Sequence, residues 1–228
     1  MKKTLAAVLA LALAACGFPR DPEGTFERVE GGVVRVGVTE APPWVELGAA
    51  PEGIEVRLVE RLAEELDAEI DWVEGSEQEL FGALTERELD LVVGGLTSET
   101  PWAAEATVTH PYLTTAALVA VPKDMEVPED LAGLEVGVEA HTEIAGQLRR
   151  TDAQVVEVDD IESYDGPVAV DNFLTDDLDL TDTGVRLSES DHVFAVPMGE
   201  NKWMTTVERF LLERPGEVKE LLDELGTS

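Results

Sequence analysis

The chain of 228 residues has one cysteine, three histidines, and only 16 lysines and arginines against 49 aspartates and glutamates. A single cysteine excludes any disulfide within the chain. The formal net charge of −33 sets up a field that repels nucleic acid and anionic headgroups, so no nucleic-acid partner is expected. His110, His141 and His192 lie far apart without zinc-type spacing, and no metal site is expected from them. There is no Gly-x-Ser-x-Gly, Walker loop or dinucleotide fingerprint, so no cofactor is expected either. Beyond Ala15 no apolar run approaches the length of a transmembrane helix. The acid excess does not imply disorder, because 44% of residues are hydrophobic and they are patterned. It suits a folded protein working in high salt, where screening makes self-repulsion tolerable, or simply an acidic exported protein.

The N-terminus sets the compartment. Lys2 and Lys3 precede an apolar run from Leu5 to Ala15 with the layout of a signal peptide. Leu13-Ala14-Ala15-Cys16 matches the bacterial lipobox, and the lone cysteine stands where diacylglycerol is added. An ordinary cleaved signal beside a chance cysteine is the plainer alternative. Residues 1–15 are therefore expected to be removed and Cys16 lipidated, which gives an exported protein anchored at the cell envelope, since two acyl chains anchor stably. The remaining 213 residues carry 14 basic and 49 acidic side chains, a net charge of −35. Residues 16–32 read as a Pro/Gly/charged tether, with structure expected to begin at Val33.

From Val33 onward strand and helix alternate. Val34, Val36 and Val38 have strand periodicity, and Leu58, Leu62 and Leu66 with Val59 and Ala63 form a helical stripe. Ile70 and Trp72 predict a second strand, and Ser76 with Glu79 predicts a capping box opening a helix over Leu80, Phe81 and Leu84. With a third strand at Leu91–Val93, the order predicts a mostly parallel sheet flanked by helices, with ligands at the carboxyl ends of the strands. A second series has strands at Leu118–Val121, Leu134–Val138, Val155–Val158 and Pro167–Val170, and a short helix from Thr142 to Arg150. His192–Val196 reads as a strand returning to the first lobe. Trp203, Val207, Phe210 and Leu211 form a helical stripe, and Pro215 opens a last helix ending near Leu225. Asp176, Asp177, Asp179 and Asp182 lack the internal glycine of a calcium loop and read as solvated charge.

Residues 90–112 begin with the Asp90-initiated apolar strand, continue through Gly95 and Thr97, and close on Pro111-Tyr112. This run resembles the central motif of the family 3 periplasmic solute-binding proteins, the extracytoplasmic receptors of amino-acid ABC importers. Val36-Gly37-Val38 with Pro42-Pro43-Trp44 resembles that family's opening strand and aromatic turn, and Gly53-Ile54-Glu55-Val56 resembles its Gly-aromatic-Asp-Val segment. Val136-Gly137-Val138-Glu139-Ala140-His141-Thr142 resembles the second-lobe turn whose N–H groups face an anionic group. Ala169-Val170-Asp171 resembles the strand end whose carboxylate accepts the ligand ammonium. The resemblance covers roughly residues 33–225. It implies an α/β, two-lobed clamshell of the type II periplasmic-binding-protein kind, each lobe a mostly parallel sheet flanked by helices. Lobe 1 would take residues 33–116 and 195–228, and a compact lobe 2 residues 117–194. It further implies a monomer that captures a small solute for an ABC permease by closing over it, with no chemical step.

The departures from that family bear on the ligand. Where the family carries an arginine that grips a carboxylate as a bidentate fork, this chain has Trp102. His141 stands where the second-lobe turn usually has glycine. The expected ligand-binding set is Glu40, Trp44, Gly95, Thr97, Trp102, His141, Thr142 and Asp171. Trp44 and Trp102 would offer π faces, and Glu40, Glu139 and Asp171 negative charge, a combination suited to an organic cation as well as an amino-acid-like solute. Trp102 packing under its loop is the alternative for that residue. Two other functions stay open: an enzyme like the cyclohexadienyl dehydratases, with His141 and Glu139 or Asp171 as its acid–base pair, and a sensory module that transports nothing.

Overall fold

The computed structural model describes residues 21–226. Residues 1–15, read from the sequence as a signal peptide, and Cys16, read as the lipidation site, lie outside the described residues. The chain forms two compact units. Unit 1 holds the described residues up to Leu96, Thr100–His110 and Val193–Glu213, and unit 2 holds Thr97–Glu99, Pro111–His192 and the residues from Arg214 onward.

Unit 1 is built on strands β1 (Val33–Val38), β2 (Glu69–Glu74), β3 (Leu91–Val93), β4 (Thr107–Val108) and β10 (Ala195–Val196), in the order β2-β1-β3-β10-β4. The first three run parallel, with Val33 opposite Glu69 and Val36 opposite both Trp72 and Leu91. β10 is antiparallel to β3 and β4, so the sheet is mixed rather than mostly parallel. The alternation of β1 has its expected result, with Val34, Val36 and Val38 buried. Helix α2 (Ile54–Glu65) buries Leu58, Val59, Leu62 and Ala63, the stripe visible in the sequence. Helix α3 (Glu77–Thr85) opens with the predicted capping box: Glu79 N–H donates to Ser76 Oγ at 3.4 Å, and Ser76 N–H donates to Glu79 Oε2 at 3.0 Å. Its Leu80, Phe81 and Leu84 meet Leu89, Val92 and Leu96 in one core cluster.

Structure begins earlier than the sequence suggests. The stretch read as tether contains helix α1 (Thr25–Val29), docked on unit 1. Five residues are too few for a helix to persist alone, and the partners that hold it are distant in sequence. The Glu200 carboxylate, 1% exposed, accepts from Thr25 N–H at 3.1 Å and Glu23 N–H at 3.2 Å. Asp21 accepts from Lys202 N–H at 2.7 Å, Trp203 N–H at 3.0 Å and Phe26 N–H at 2.8 Å. Lys202 and Trp203 lie in helix α5 (Asn201–Leu212). Arg28 and Arg35 each place a two-nitrogen fork on the buried Asp90 carboxylate, with nitrogen–oxygen distances of 2.6–3.0 Å. Burial opposes ionisation of Asp90, but the hydrogen bonds from Arg28 and Arg35 outweigh it and hold its pKa below the usual carboxylate value.

Unit 2 carries β5 (Leu113–Pro122), β6 (Glu135–Glu139), β7 (Gln154–Val158), β8 (Val168–Asp171) and β9 (Leu180–His192), in the order β7-β6-β8-β5-β9. β6, β7 and β8 are parallel, and β5 pairs antiparallel with β8 and β9. The short helix α4 (Glu143–Leu148) buries Ala145 and Leu148 into a cluster with Val119, Val136, Val138 and Ala169. β9 extends over thirteen residues, where the sequence pattern predicts a strand only from His192. The last helix, α6 (Pro215–Gly226), groups with unit 2, whereas the sequence-based division places 195–228 in lobe 1. Among the described residues no helix is long and apolar enough to cross a membrane.

Candidate functional site

At the carboxyl edge of the unit 1 sheet, two turns are locked together by a carboxylate. Glu55, on the buried face of α2 and 0% exposed, accepts from Gly94 N–H at 2.7 Å and Gly95 N–H at 3.0 Å. Gly95 has φ 66, and a Cβ there would meet Trp44 Cδ1 at 2.6 Å. Only glycine fits this conformation under the indole. Trp44 is itself 8% exposed; its carbonyl accepts from Glu55 N–H at 3.0 Å, which seats the Pro43–Trp44 turn on the start of α2. Glu40 is exposed, and its Oε2 accepts from Leu47 N–H at 2.7 Å, closing its own loop. Glu55 is absent from the sequence-derived site. The signal was legible: it stands three, four and seven residues before Leu58, Val59 and Leu62, on the stripe that must be buried.

Trp102 is half-buried and packs on the unit 1 cluster of Leu80, Phe81, Leu84 and Leu96. Its carbonyl accepts from Glu105 N–H at 2.8 Å in a turn. Ring and backbone are thus engaged with unit 1 itself.

Unit 2 brings a second group of the predicted residues to strand ends. Thr142 caps α4: its Oγ1 accepts from Ala145 N–H at 3.2 Å and donates to Glu139 O at 2.9 Å. His141, one residue earlier, is exposed at φ 66, the left-handed geometry that glycine supplies without strain. Among the described residues no hydrogen bond joins His141 to the carboxylate of Glu139 or Asp171. Thr97 is half-buried and bridges to His192 through its backbone.

Asp171 ends β8, opposite Ala117 of β5. Its neighbour Asn172 accepts from Ala116 N–H at 2.9 Å and fixes the turn. The Asp171 side chain is half-buried, caps no N–H group, and burial pushes its pKa up to about 6. A carboxylate in that state gains from any cation placed beside it. His192, on strand β9 across β5 from β8, is buried with its Nε2 3.0 Å from Thr115 Oγ1. Burial pushes its pKa down to about 4, against a weaker upward pull from Asp191, so the ring is neutral near pH 7. Among the described residues no three His, Cys, Asp or Glu side chains are placed to hold a metal ion.

A family model described as bacterial extracellular solute-binding proteins, family 3, matches residues 34–224. No curated protein matches the chain. Among solved structures, an ancestral cationic amino acid solute-binding protein superposes with a TM-score of 0.68 at 17% identity, covering 89% of this chain and 99% of that one. The L-cystine solute receptor of Neisseria gonorrhoeae, in its unliganded open conformation, gives 0.67 at 16% identity, over 87% and 97% of the two chains. An ancestral cyclohexadienyl dehydratase gives 0.62 at 18% identity, over 89% and 95%. At such identities the likeness is one of fold: α/β with two mixed five-stranded sheets, like the type II periplasmic binding proteins.

Proposed function

Because the chain belongs to family 3 of the bacterial extracellular solute-binding proteins, we propose that it is an envelope-anchored receptor for a small organic cation or cationic amino-acid derivative, delivered to an ABC permease. The anchor would be diacylglycerol on Cys16, the lone cysteine, placed after Leu13-Ala14-Ala15.

The observation that carries the ligand class is Asp171. It is a half-buried carboxylate at a strand end, with its pKa pushed up to about 6 by burial. An ammonium beside it supplies the counter-charge that burial makes valuable. Two further points agree. No arginine occurs between Arg87 and Arg149, so the stretch resembling the family's central motif has no bidentate partner for a free carboxylate. The net charge of −33 raises the local concentration of cations and lowers that of anions, an effect that salt weakens. Solutes named for structural relatives, a cationic amino acid and L-cystine, keep the chemistry within amino-acid-like compounds.

A thermal-shift panel tests this reading, since a ligand selective for the folded state raises its melting point. The panel holds primary amines, quaternary ammonium compounds, L-arginine, L-arginine methyl ester and neutral and acidic amino acids, each at low and high salt. Cations with a blocked or absent carboxylate should stabilise most, and more at low salt. Stabilisation by acidic or neutral amino acids alone would contradict the ligand class.

A further inference from the structure

We infer that residues 21–30 form a clasp that holds the amino edge of the unit 1 sheet toward the membrane, with the lipid surface as its partner. The inference rests on the Cys16 anchor proposed above. Its basis is where α1 is fastened. Arg35 lies near the start of β1, Asp90 immediately precedes β3, and Pro197 immediately follows β10, which is antiparallel to β3. These residues therefore share one edge of the sheet, and the cavity of about 210 Å³ at that edge is also lined by Glu23, Thr25 and Arg28 of the clasp. The glycine turn at Gly94–Gly95 follows β3 at the opposite edge, and six residues of β1 separate the two edges by about 20 Å.

Chain length converts this fastening into a distance. From Cys16 to Asp21 is five residues, which span at most about 18 Å when extended. A free tether to Val33 would have seventeen residues and a reach of about 60 Å. Docking α1 thus shortens the leash roughly threefold and fixes the edge from which it leaves. Charge at this edge agrees with a lipid partner. Arg28, Arg35, Arg87 and Lys202, four of the 14 basic residues beyond Lys3, gather there against the carboxylates of Asp21, Glu23, Glu27, Glu30, Asp90 and Glu200. Four cations to six carboxylates is a smaller acid excess than the 16 to 49 of the whole chain, which lessens repulsion from anionic headgroups at this edge.

The test uses the full lipidated protein on vesicles of phosphatidylcholine and phosphatidylglycerol carrying a headgroup energy acceptor. Acylation blocks Cys16, so an introduced cysteine takes a donor dye alone. Met198→Cys marks the clasp edge at a residue 47% exposed, and Val73→Cys marks the far end of β2 at a residue 38% exposed. Transfer should be severalfold stronger from Met198→Cys. The preference should vanish in Asp21→Ala/Arg28→Ala and weaken when twelve Gly/Ser residues are inserted after Gly17, which lengthens the leash without touching the clasp. Equal transfer from both positions, or an unchanged preference in the clasp variant, overturns the inference. Hydrogen exchange on the soluble chain lacking residues 1–16 checks the clasp without the anchor. Thr25 and Phe26 amides should be protected like those of α5, and free exchange also overturns it. If the wild-type chain fails to float with vesicles, the Cys16 anchor falls, and the membrane role with it, while exchange protection still reports the clasp.

Discussion

In unit 1 the carboxylates of Glu55, Asp90 and Glu200 are almost wholly buried, and each is met by backbone N–H groups or guanidinium forks. In unit 2 the carboxylate of Asp171 is half-buried, and burial alone governs its ionisation. The same functional group therefore does opposite jobs. Where its charge is answered within the fold it braces turns and fastens α1, and where it is not, burial raises its pKa. On the proposed reading, compensated buried carboxylates belong to the scaffold and the uncompensated one to the ligand site.

Removing a compensated carboxylate should have the largest effect on this contrast. Asp90→Ala strands the Arg28 and Arg35 forks and should destabilise unit 1 by about 3–5 kcal/mol, read by urea denaturation. Glu55→Ala leaves the N–H groups of Gly94 and Gly95 without their charged acceptor and should cost about 2–3 kcal/mol, with faster hydrogen exchange at both glycines. Asp171→Asn should act in the other direction. Its folded pKa of about 6 lies above the ordinary value of 3.8, so its extra stability is full below about pH 4 and lost as pH rises through about 6. Above pH 6 the ionised side chain is a burden, and the unliganded Asn variant should be more stable than wild type by about 1–2 kcal/mol. Destabilisation by Asp171→Asn near pH 7 would erase the contrast between the units. The smallest effect is His141→Gly, which relieves a left-handed φ of 66 and should stabilise unit 2 by about 1 kcal/mol in thermal melts.

His192 gives the contrast a pH signature. Its folded pKa of about 4 lies below the ordinary value of 6.5, so its contribution to stability is present above pH 6.5 and lost as pH falls toward 4. Between pH 6 and 4 it opposes Asp171. His192→Gln should remove the acid-side loss and leave stability rising as Asp171 protonates, measured by melting temperature across that range.

The elements most legible in the sequence are those stabilised by local pattern. The valine alternation of β1, the stripe of α2 and the Ser76–Glu79 box all come out as strand, helix and capped helix start. Helix α1 is not legible because its stability comes from Glu200 and Asp90, far along the chain, and a five-residue helix has little of its own. Strand β9 is hidden by its charge. Thr181, Thr183, Val185 and Leu187 alternate in half-buried positions with exposed Asp182, Gly184 and Arg186, but the aspartates upstream read as solvated charge. Trp102 shows the limit of reading chemistry from residue type. An indole can serve as a π face or as core, and the apolar cluster on which Trp102 packs draws Leu80, Phe81 and Leu84 from a separate helix. Asp171 is placed by resemblance, but its shifted ionisation depends on burial that no local pattern encodes.

The most direct test of Asp171 as the cation acceptor is calorimetry of the strongest cationic binder from the panel at pH 5 and pH 7, on wild type and Asp171→Asn. Wild-type affinity should rise between the two as the carboxylate ionises, and the variant should bind more weakly by about 2–5 kcal/mol at pH 7 and lose that pH dependence. Equal affinity and equal pH dependence in the two proteins would contradict it.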